Sequence, residues 1–186
     1  MKNERILIQG VEGSYSHIFA KSLGYSKIDF VPTFDEVVER IEKGEYEYGI
    51  LPIENTTAGE VRETYDLLDS HNVYHVAMGD IKISHCLLGA KNSKLSDITK
   101  VSSHPQALMQ CDKFLKKQGY SIYNEFNTAI ASKKLAEEGD KTHAVIASHL
   151  AGEIYGLNML CENIQNVDNN FTKFVLLSNS LENVDK

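Results

Sequence analysis

Three polar stretches, each directly after an apolar run of strand length, hold the residues best suited to chemistry. Residues 6–8 lead into Gly10-Val11-Glu12-Gly13-Ser14, residues 50–53 into Glu54-Asn55-Thr56-Thr57-Ala58-Gly59, and Val101 into Ser102-Ser103-His104-Pro105. Each stretch is read as opening a helix, and Pro105 suits a first helical position. Helix N-termini carry unpaired N–H groups and partial positive charge, so such loops can hold a carboxylate without a lysine. Capping accounts for the same residues, because Ser, Thr, Asn and Asp favour that position in any protein. Gly10 and Gly13 do not complete a G-x-G-x-x-G fingerprint and no Gly-Lys-Ser/Thr follows, so a nucleotide cofactor is not expected. Cys86, Cys111 and Cys161 form no Cys-x-x-Cys pair for zinc or redox chemistry and read as buried packing residues of a reducing compartment.

The loops need elements to position them. Apolar runs recur at residues 6–8, 48–51, 73–78, 81–88, 144–147 and 174–177. Phe34, Val37, Val38 and Ile41 step i, i+3, i+4, i+7 and predict one buried helix face; Ala107, Leu108, Cys111, Phe114 and Leu115, and Leu150, Ile154 and Leu157, make similar stripes. Strands alternating with helices predict an α/β fold with mostly parallel sheets covered on both faces. In such folds, polar loops gather at the carboxyl ends of the strands, where ligands usually sit. Residues 73–88 break the alternation, because only Gly79 and Asp80 separate two strand-like runs, and the break predicts a crossing between lobes.

The chain has 186 residues, 42% hydrophobic and 24% charged, enough for one domain or two small lobes with real cores. With 26 acidic against 19 basic residues the net charge is -7 and no basic stripe forms, so nucleic acid is not an expected partner. No apolar run approaches the roughly 18–20 residues of a membrane span. No leader is recognised in MKNERILIQG, and a soluble, cytoplasmic protein is expected. In an unsecreted chain the acceptor patterns Asn55-Thr56-Thr57 and Asn170-Phe171-Thr172 mean nothing.

The segments GVEGSYSH from Gly10, LPIENTTAGEV from Leu51, SHPQALMQC from Ser103 and NNFTKF from Asn169 resemble, in wording and order, the catalytic domain of prephenate dehydratases. Residues 83–88, Asn127-Thr128-Ala129 and Ile154-Tyr155-Gly156-Leu157 extend the resemblance over nearly the whole chain. It implies two α/β lobes with a central cleft, like a type II periplasmic binding protein, with residues 1–80 plus 165–186 in one lobe and 81–164 in the other. It also implies a homodimer, and conversion of prephenate to phenylpyruvate, water and CO2, in phenylalanine biosynthesis, without metal or organic cofactor.

That reaction needs a hydrogen-bond donor at the departing ring hydroxyl and weak solvation of the ring carboxylate. The resemblance gives the donor role to Thr172, read as an oriented hydroxyl because a threonine O–H is a very weak acid. Asn55 is matched to substrate orientation and Glu54 to the supporting network. Ser103 and Gln110 are matched to binding or catalysis, and their i, i+7 separation predicts one face of a helix start. Gly13, Ser14 and Tyr15 are expected to offer amides and hydroxyls to a carboxylate, and Lys173 and Phe174 to meet substrate. His104 reads as a structural histidine bonded to a loop carbonyl.

Two departures stand out. Lys173 replaces the arginine of the family's usual Thr-Arg-Phe, exchanging a bidentate fork for a point charge. No Glu-Ser-Arg-Pro motif of a phenylalanine-binding regulatory domain occurs, so feedback inhibition is not expected in this polypeptide; no chorismate mutase segment is recognised either. The alternatives are a prephenate decarboxylase of the same fold, which retention of Thr172 disfavours, and a non-catalytic ligand-binding module.

Overall fold

The structure is a computed structural model that describes residues 2–181. The chain divides into two units, Met1–Val11, Tyr15–Lys82 and Asn169–Lys186 forming the first, and Glu12–Ser14 with Ile83–Asp168 the second. The sequence placed the crossings at 80/81 and 164/165.

The first unit is built on strands β1 (Lys2–Gln9), β2 (Tyr25–Val31), β3 (Tyr48–Asn55), β4 (Gly59–Glu60), β5 (Tyr74–Lys82) and, from the far end of the chain, β11 (Phe171–Ser178). Their order is β2-β1-β3-β11-β5, with β4 on β3. Side-chain alternation sends Leu7, Leu51, Val175 and Leu177 to one face, against Val37, Val38 and Ile41 of α2 (Phe34–Glu42) and Leu67 of α3 (Arg62–Ser70). Ile6, Ile8, Ile50, Phe174 and Leu176 take the other face, with Phe19 and Ala20 of α1 (Tyr15–Ser22). The Phe34 stripe forms the α2 helix as its spacing predicts, and Thr33 caps it by accepting the Glu36 N–H.

The second unit carries β6 (Cys86–Gly89), β7 (Lys100–Ser103), β8 (Ser121–Asn124), β9 (His143–Ala147) and β10 (Asn158–Cys161), in the order β10-β6-β9-β7-β8. Leu87, Val101, Ala144 and Ile146 pack against α4 (Pro105–Gln110) and α5 (Asp112–Gln118). Cys86, Leu88, Val145 and Ala147 pack against α6 (Thr128–Glu138) and α7 (His149–Tyr155). Pro105 is the first residue of α4, and Asn127 caps α6 by accepting the N–H groups of Ala129 and Ile130.

Several expectations are corrected. Both sheets are mixed: β11 runs antiparallel to β3 and β5, and β6 antiparallel to β9 and β10. β11 returns to its sheet and β6 starts a new one, so neither is joined to its neighbours by the helical crossover that enforces parallel pairing. Gly79 and Asp80 do not interrupt the chain but lie inside β5, where a Cβ on Gly79 would sit 3.0 Å from the Phe19 ring. The break falls instead at residues 83–85. The 107–115 stripe is two helices parted at Cys111. In α7 the buried residues are Ala151 and Gly152, whereas Ile154 is 37% exposed and Leu157 lies beyond the Gly156 cap. Small residues let α7 approach closely: a Cβ on Gly13 would stand 2.8 Å from Ala151 Cα. β2, β8 and β10 were not read from the sequence because each is an edge strand whose outward groups blur the apolar period.

Candidate active site

β3 and β11 bring Asn55 and Thr172 face to face, as directly opposed partners in an antiparallel ladder, so both side chains leave the same side of the sheet. Asn55 Oδ1 accepts N–H groups from Thr57 (3.0 Å) and Ala58 (3.0 Å) and the Thr57 hydroxyl (2.7 Å). Its Nδ2 shares two N–H groups among Asn170 Oδ1 (2.9 Å), Phe171 O (3.1 Å) and Thr172 Oγ1 (2.9 Å), so one of them is bifurcated. Backbone N–H groups can only donate and a backbone carbonyl can only accept, so these main-chain partners fix which end of the amide is which. Thr172 Oγ1 is therefore an acceptor toward Asn55. Among the described residues that is its side chain's one hydrogen bond, and its own proton points elsewhere.

The turn that fixes Asn55 is a hairpin. Glu54 pairs with Glu60 and Asn55 with Gly59, whose φ is +85°, while α3 begins only at Arg62 with no side-chain cap. The expected helix opening after Glu54 is thus replaced by an Asx turn, in which the Asn55 oxygen takes the N–H groups a helix would have used. Thr56 closes the other side: its N–H donates to Phe171 O (3.0 Å) and its hydroxyl accepts the Phe171 N–H (2.9 Å). Asn170, 1% exposed, completes the network. It stands just before β11, two residues ahead of Thr172, where no periodic pattern in the sequence marks it.

Lys173 and Glu54 are also directly opposed, on the other face, with Asp80 across from Lys173 on β5. Lys173 Nζ lies 3.2 Å from Glu54 Oε2, and that pairing raises the pKa of the ammonium. A pocket of about 210 Å³ there is lined by Glu54, Thr56, Asp80, Phe171 and Lys173. It holds two carboxylates against one ammonium, an unfavourable balance for a second anion. Phe174, expected to meet substrate, is 1% exposed and stacks on Phe19 with ring centroids 4.9 Å apart. It is a core residue, contributing roughly 1.5–3 kcal/mol by burial.

In the second unit Ser103 is the last residue of β7, not part of a helix, so it shares no helix face with Gln110 at the end of α4. Its hydroxyl is fully buried and donates to Ile146 O at 2.6 Å, tying β7 to β9. Gln110 Oε1 lies 2.7 Å from His85 Nε2. His104 is structural but not through a carbonyl: its Nδ1 accepts the Gln106 N–H (3.2 Å) as the cap of α4, and burial lowers its pKa. Gly13 O accepts the Ser148 hydroxyl (2.7 Å), Ser14 is buried, and Tyr15 belongs to α1 of the first unit. Cys86 and Cys111 are buried free thiols and Cys161 is half-buried; burial pushes Cys111 up to about 12. Among the described residues no cluster of three His, Cys, Asp or Glu could hold a metal, and no helix is long and apolar enough to cross a membrane.

A family model described as prephenate dehydratase matches residues 6–182. The chain belongs to the prephenate dehydratase family. It is 37% identical over 185 residues to a bifunctional chorismate mutase/prephenate dehydratase of Buchnera aphidicola subsp. Acyrthosiphon pisum (strain APS), covering 95% of this chain and 48% of that protein. It is 38% identical over 176 residues to arogenate dehydratase/prephenate dehydratase 2, chloroplastic, of Arabidopsis thaliana, covering 94% and 46%. The chain thus spans about half the length of these relatives. Among solved structures, GqqA, described as a novel type of quorum quenching acylase, superposes with a TM-score of 0.86 at 30% identity, over 95% of this chain and 64% of that one. The prephenate dehydratase of Arthrobacter aurescens in complex with L-Phe gives 0.84 at 24% identity, over 94% and 60%. A putative methionine-binding lipoprotein of Bacillus subtilis gives 0.51 at 11% identity, over 98% and 86%. These last two show the fold alone, two α/β units in the manner of periplasmic binding proteins, as the sequence resemblance implied.

Proposed function

We propose that this chain is a prephenate dehydratase, converting prephenate to phenylpyruvate, CO2 and water in phenylalanine biosynthesis. The observation that carries the reading is the 2.9 Å bond from Asn55 Nδ2 to Thr172 Oγ1. Because the oxygen accepts there, the hydroxyl proton is aimed away from Asn55 and can be given, as a hydrogen bond, to the departing ring hydroxyl. The C–O bond breaks as the carboxylate C–C bond breaks, its electron pair closing the aromatic ring; the departing hydroxide, held by the Thr172 hydrogen bond, takes one proton from solvent, directly or relayed through the Thr172 hydroxyl, and leaves as water. Half-buried Ile81, across from Thr172 on β5, supplies an apolar neighbour on the same face. Thr172 is the catalytic donor, Asn55 and Asn170 orient it, and Glu54 holds Lys173. Gln110 offers a substrate-facing amide, as the resemblance implies, and Ser103 is a positioning residue. Gly13, Ser14 and Tyr15 keep their expected part in carboxylate binding, through amides and hydroxyls. We read the protein as cytoplasmic and homodimeric, which the family resemblance supports and sedimentation of the purified protein tests. Incubation with prephenate and identification of the product tests the activity: phenylpyruvate is expected, a hydroxylated non-aromatic product would mean decarboxylation only, and stoichiometric binding without turnover would mean a binding module.

A second reading, amide hydrolysis, is favoured by the likeness to an acylase together with one array. Ser102 Oγ lies 2.9 Å from His143 Nε2, and His143 Nδ1 lies 3.7 Å from Glu138 Oε2. It ranks second because Ser102 is 2% exposed, and a nucleophile must be reached. Ser102→Ala should leave prephenate turnover near wild type; acyl-amide hydrolysis that disappears in this variant would reverse the ranking.

A further inference from the structure

His85 is 3% exposed and is held by both its backbone and its ring. Its backbone N–H donates to Gln165 Oε1 (3.0 Å), its carbonyl accepts the Ile164 N–H (3.0 Å), and its ring Nε2 meets Gln110 Oε1 (2.7 Å). The next residue of the same segment grips the Gln110 backbone: the Asn166 N–H donates to Gln110 O at 2.6 Å. The Asn166 side chain then occupies the helix break, donating to Met109 O (3.2 Å) and Asp112 Oδ1 (2.7 Å) while accepting the Lys113 N–H (3.2 Å). Ser84 completes the strap with a 2.6 Å bond to Asn163 Oδ1. Residues 163–166 therefore hold the backbone of both His85 and Gln110, and the ring-to-amide bond links the two side chains directly.

We infer that His85 is a positioning residue for Gln110: its Nε2–H holds the Gln110 carboxamide by the oxygen, so that the NH2 end is the one turned toward a substrate oxygen. A carboxamide rotates through two nearly isosteric orientations, and only a fixed donor at one end makes the other end a dependable donor. Burial favours the neutral ring, which has a single N–H, and an amide oxygen as the partner of Nε2 assigns that hydrogen to Nε2. The inference rests on the proposed dehydratase reading, which gives Gln110 its substrate-facing amide; it adds the residue that orients that amide.

The test is a double-mutant cycle with a spectroscopic arm. His85→Phe, which keeps the ring and removes the donor, should lower kcat/KM for prephenate by about 10–100-fold, the usual loss for an orienting partner. His85→Gln, which returns an N–H, should recover most of it. Gln110→Met should lower turnover as well, and His85→Phe added to it should cost nothing further, because the ring acts through that amide. Multiplicative losses would overturn the inference. The other arm needs no activity: 15N spectra of the wild type should show the Nε2–H tautomer of His85 and a resolved Gln110 NH2 pair that collapses or shifts strongly in His85→Phe. Unchanged Gln110 signals would refute the positioning role, whereas absence of phenylpyruvate from the wild type would refute only the dehydratase reading.

Discussion

Thr172 Oγ1 receives an N–H from Asn55 at 2.9 Å across the β11–β3 ladder, and Asn55 is itself locked by two backbone N–H groups on its oxygen and the Phe171 carbonyl on its nitrogen. The direction of one hydrogen bond is thereby set by the main chain. A hydroxyl that accepts from a fixed donor has its proton available in one sector only, which is how a weak acid becomes an oriented donor.

Asn55→Asp tests that direction. The change is isosteric but replaces the donating NH2 with an acceptor, so the Thr172 proton turns back toward the carboxylate, and Asn170 Oδ1 and Phe171 O face a negative charge. Turnover should fall about 10²-fold near neutral pH, with partial recovery as the pH falls and the new carboxyl gains a proton. Full activity across the pH range would mean that the amide does not orient Thr172. Steady-state rates against pH decide it.

Lys173 is paired with Glu54 on the face opposite Thr172, so Lys173→Met should leave the KM for prephenate within about 3-fold, as for other exposed ion pairs. A KM raised tenfold or more would show that the ammonium leaves Glu54 to bind substrate. That outcome would return to Lys173 the carboxylate role suggested by the family's arginine.

Much of this arrangement is legible in the sequence. The Phe34-Val37-Val38-Ile41 stripe forms α2, and two motifs that resemble one family single out Asn55 and Thr172, although not the hydrogen bond between them. What the sequence hides is where strands begin and turn. Residues 54–59 look like a loop opening a helix, because nothing local says that the Asn55 oxygen will close a hairpin. Cys111 looks like part of a continuous stripe, because Asn166, which occupies the break, is distant along the chain. Phe174 and Lys173 look like site residues because they flank Thr172, yet strand alternation sends Lys173 to the other face and the core claims Phe174. His85 and Asn170 give no periodic signal; buried polar residues are recognised only once their partners are in place.

Gly13 should not tolerate a side chain. Its φ is +84° and a Cβ would stand 2.8 Å from Ala151 Cα, so Gly13→Ala combines backbone strain with a clash against α7. A loss of about 1–3 kcal/mol is expected, read as a drop in Tm of roughly 2–4 °C per kcal/mol for a chain of this size. A Tm equal to wild type would contradict the close packing of Glu12–Ser14 on α7.

Stability should fall with acidity below about pH 6.5, the value for an unperturbed histidine. Burial lowers the pKa values of His85, His104 and His143 in the folded protein. Between each lowered value and about 6.5 the unfolded chain binds more protons than the folded one, so stability is complete above that window and declines as pH falls through it. His85→Gln removes one contribution and should give a shallower decline of Tm from pH 7 to 5. An unchanged slope would show that His85 takes up its proton without cost in the folded state.

The most direct measurement is prephenate turnover by wild type and Thr172→Val, with products identified and substrate affinity measured separately. The expected result is phenylpyruvate from the wild type and a kcat about 10²- to 10⁴-fold lower in the variant, with fold and affinity retained. Equal turnover in the two proteins would remove Thr172 from the chemistry.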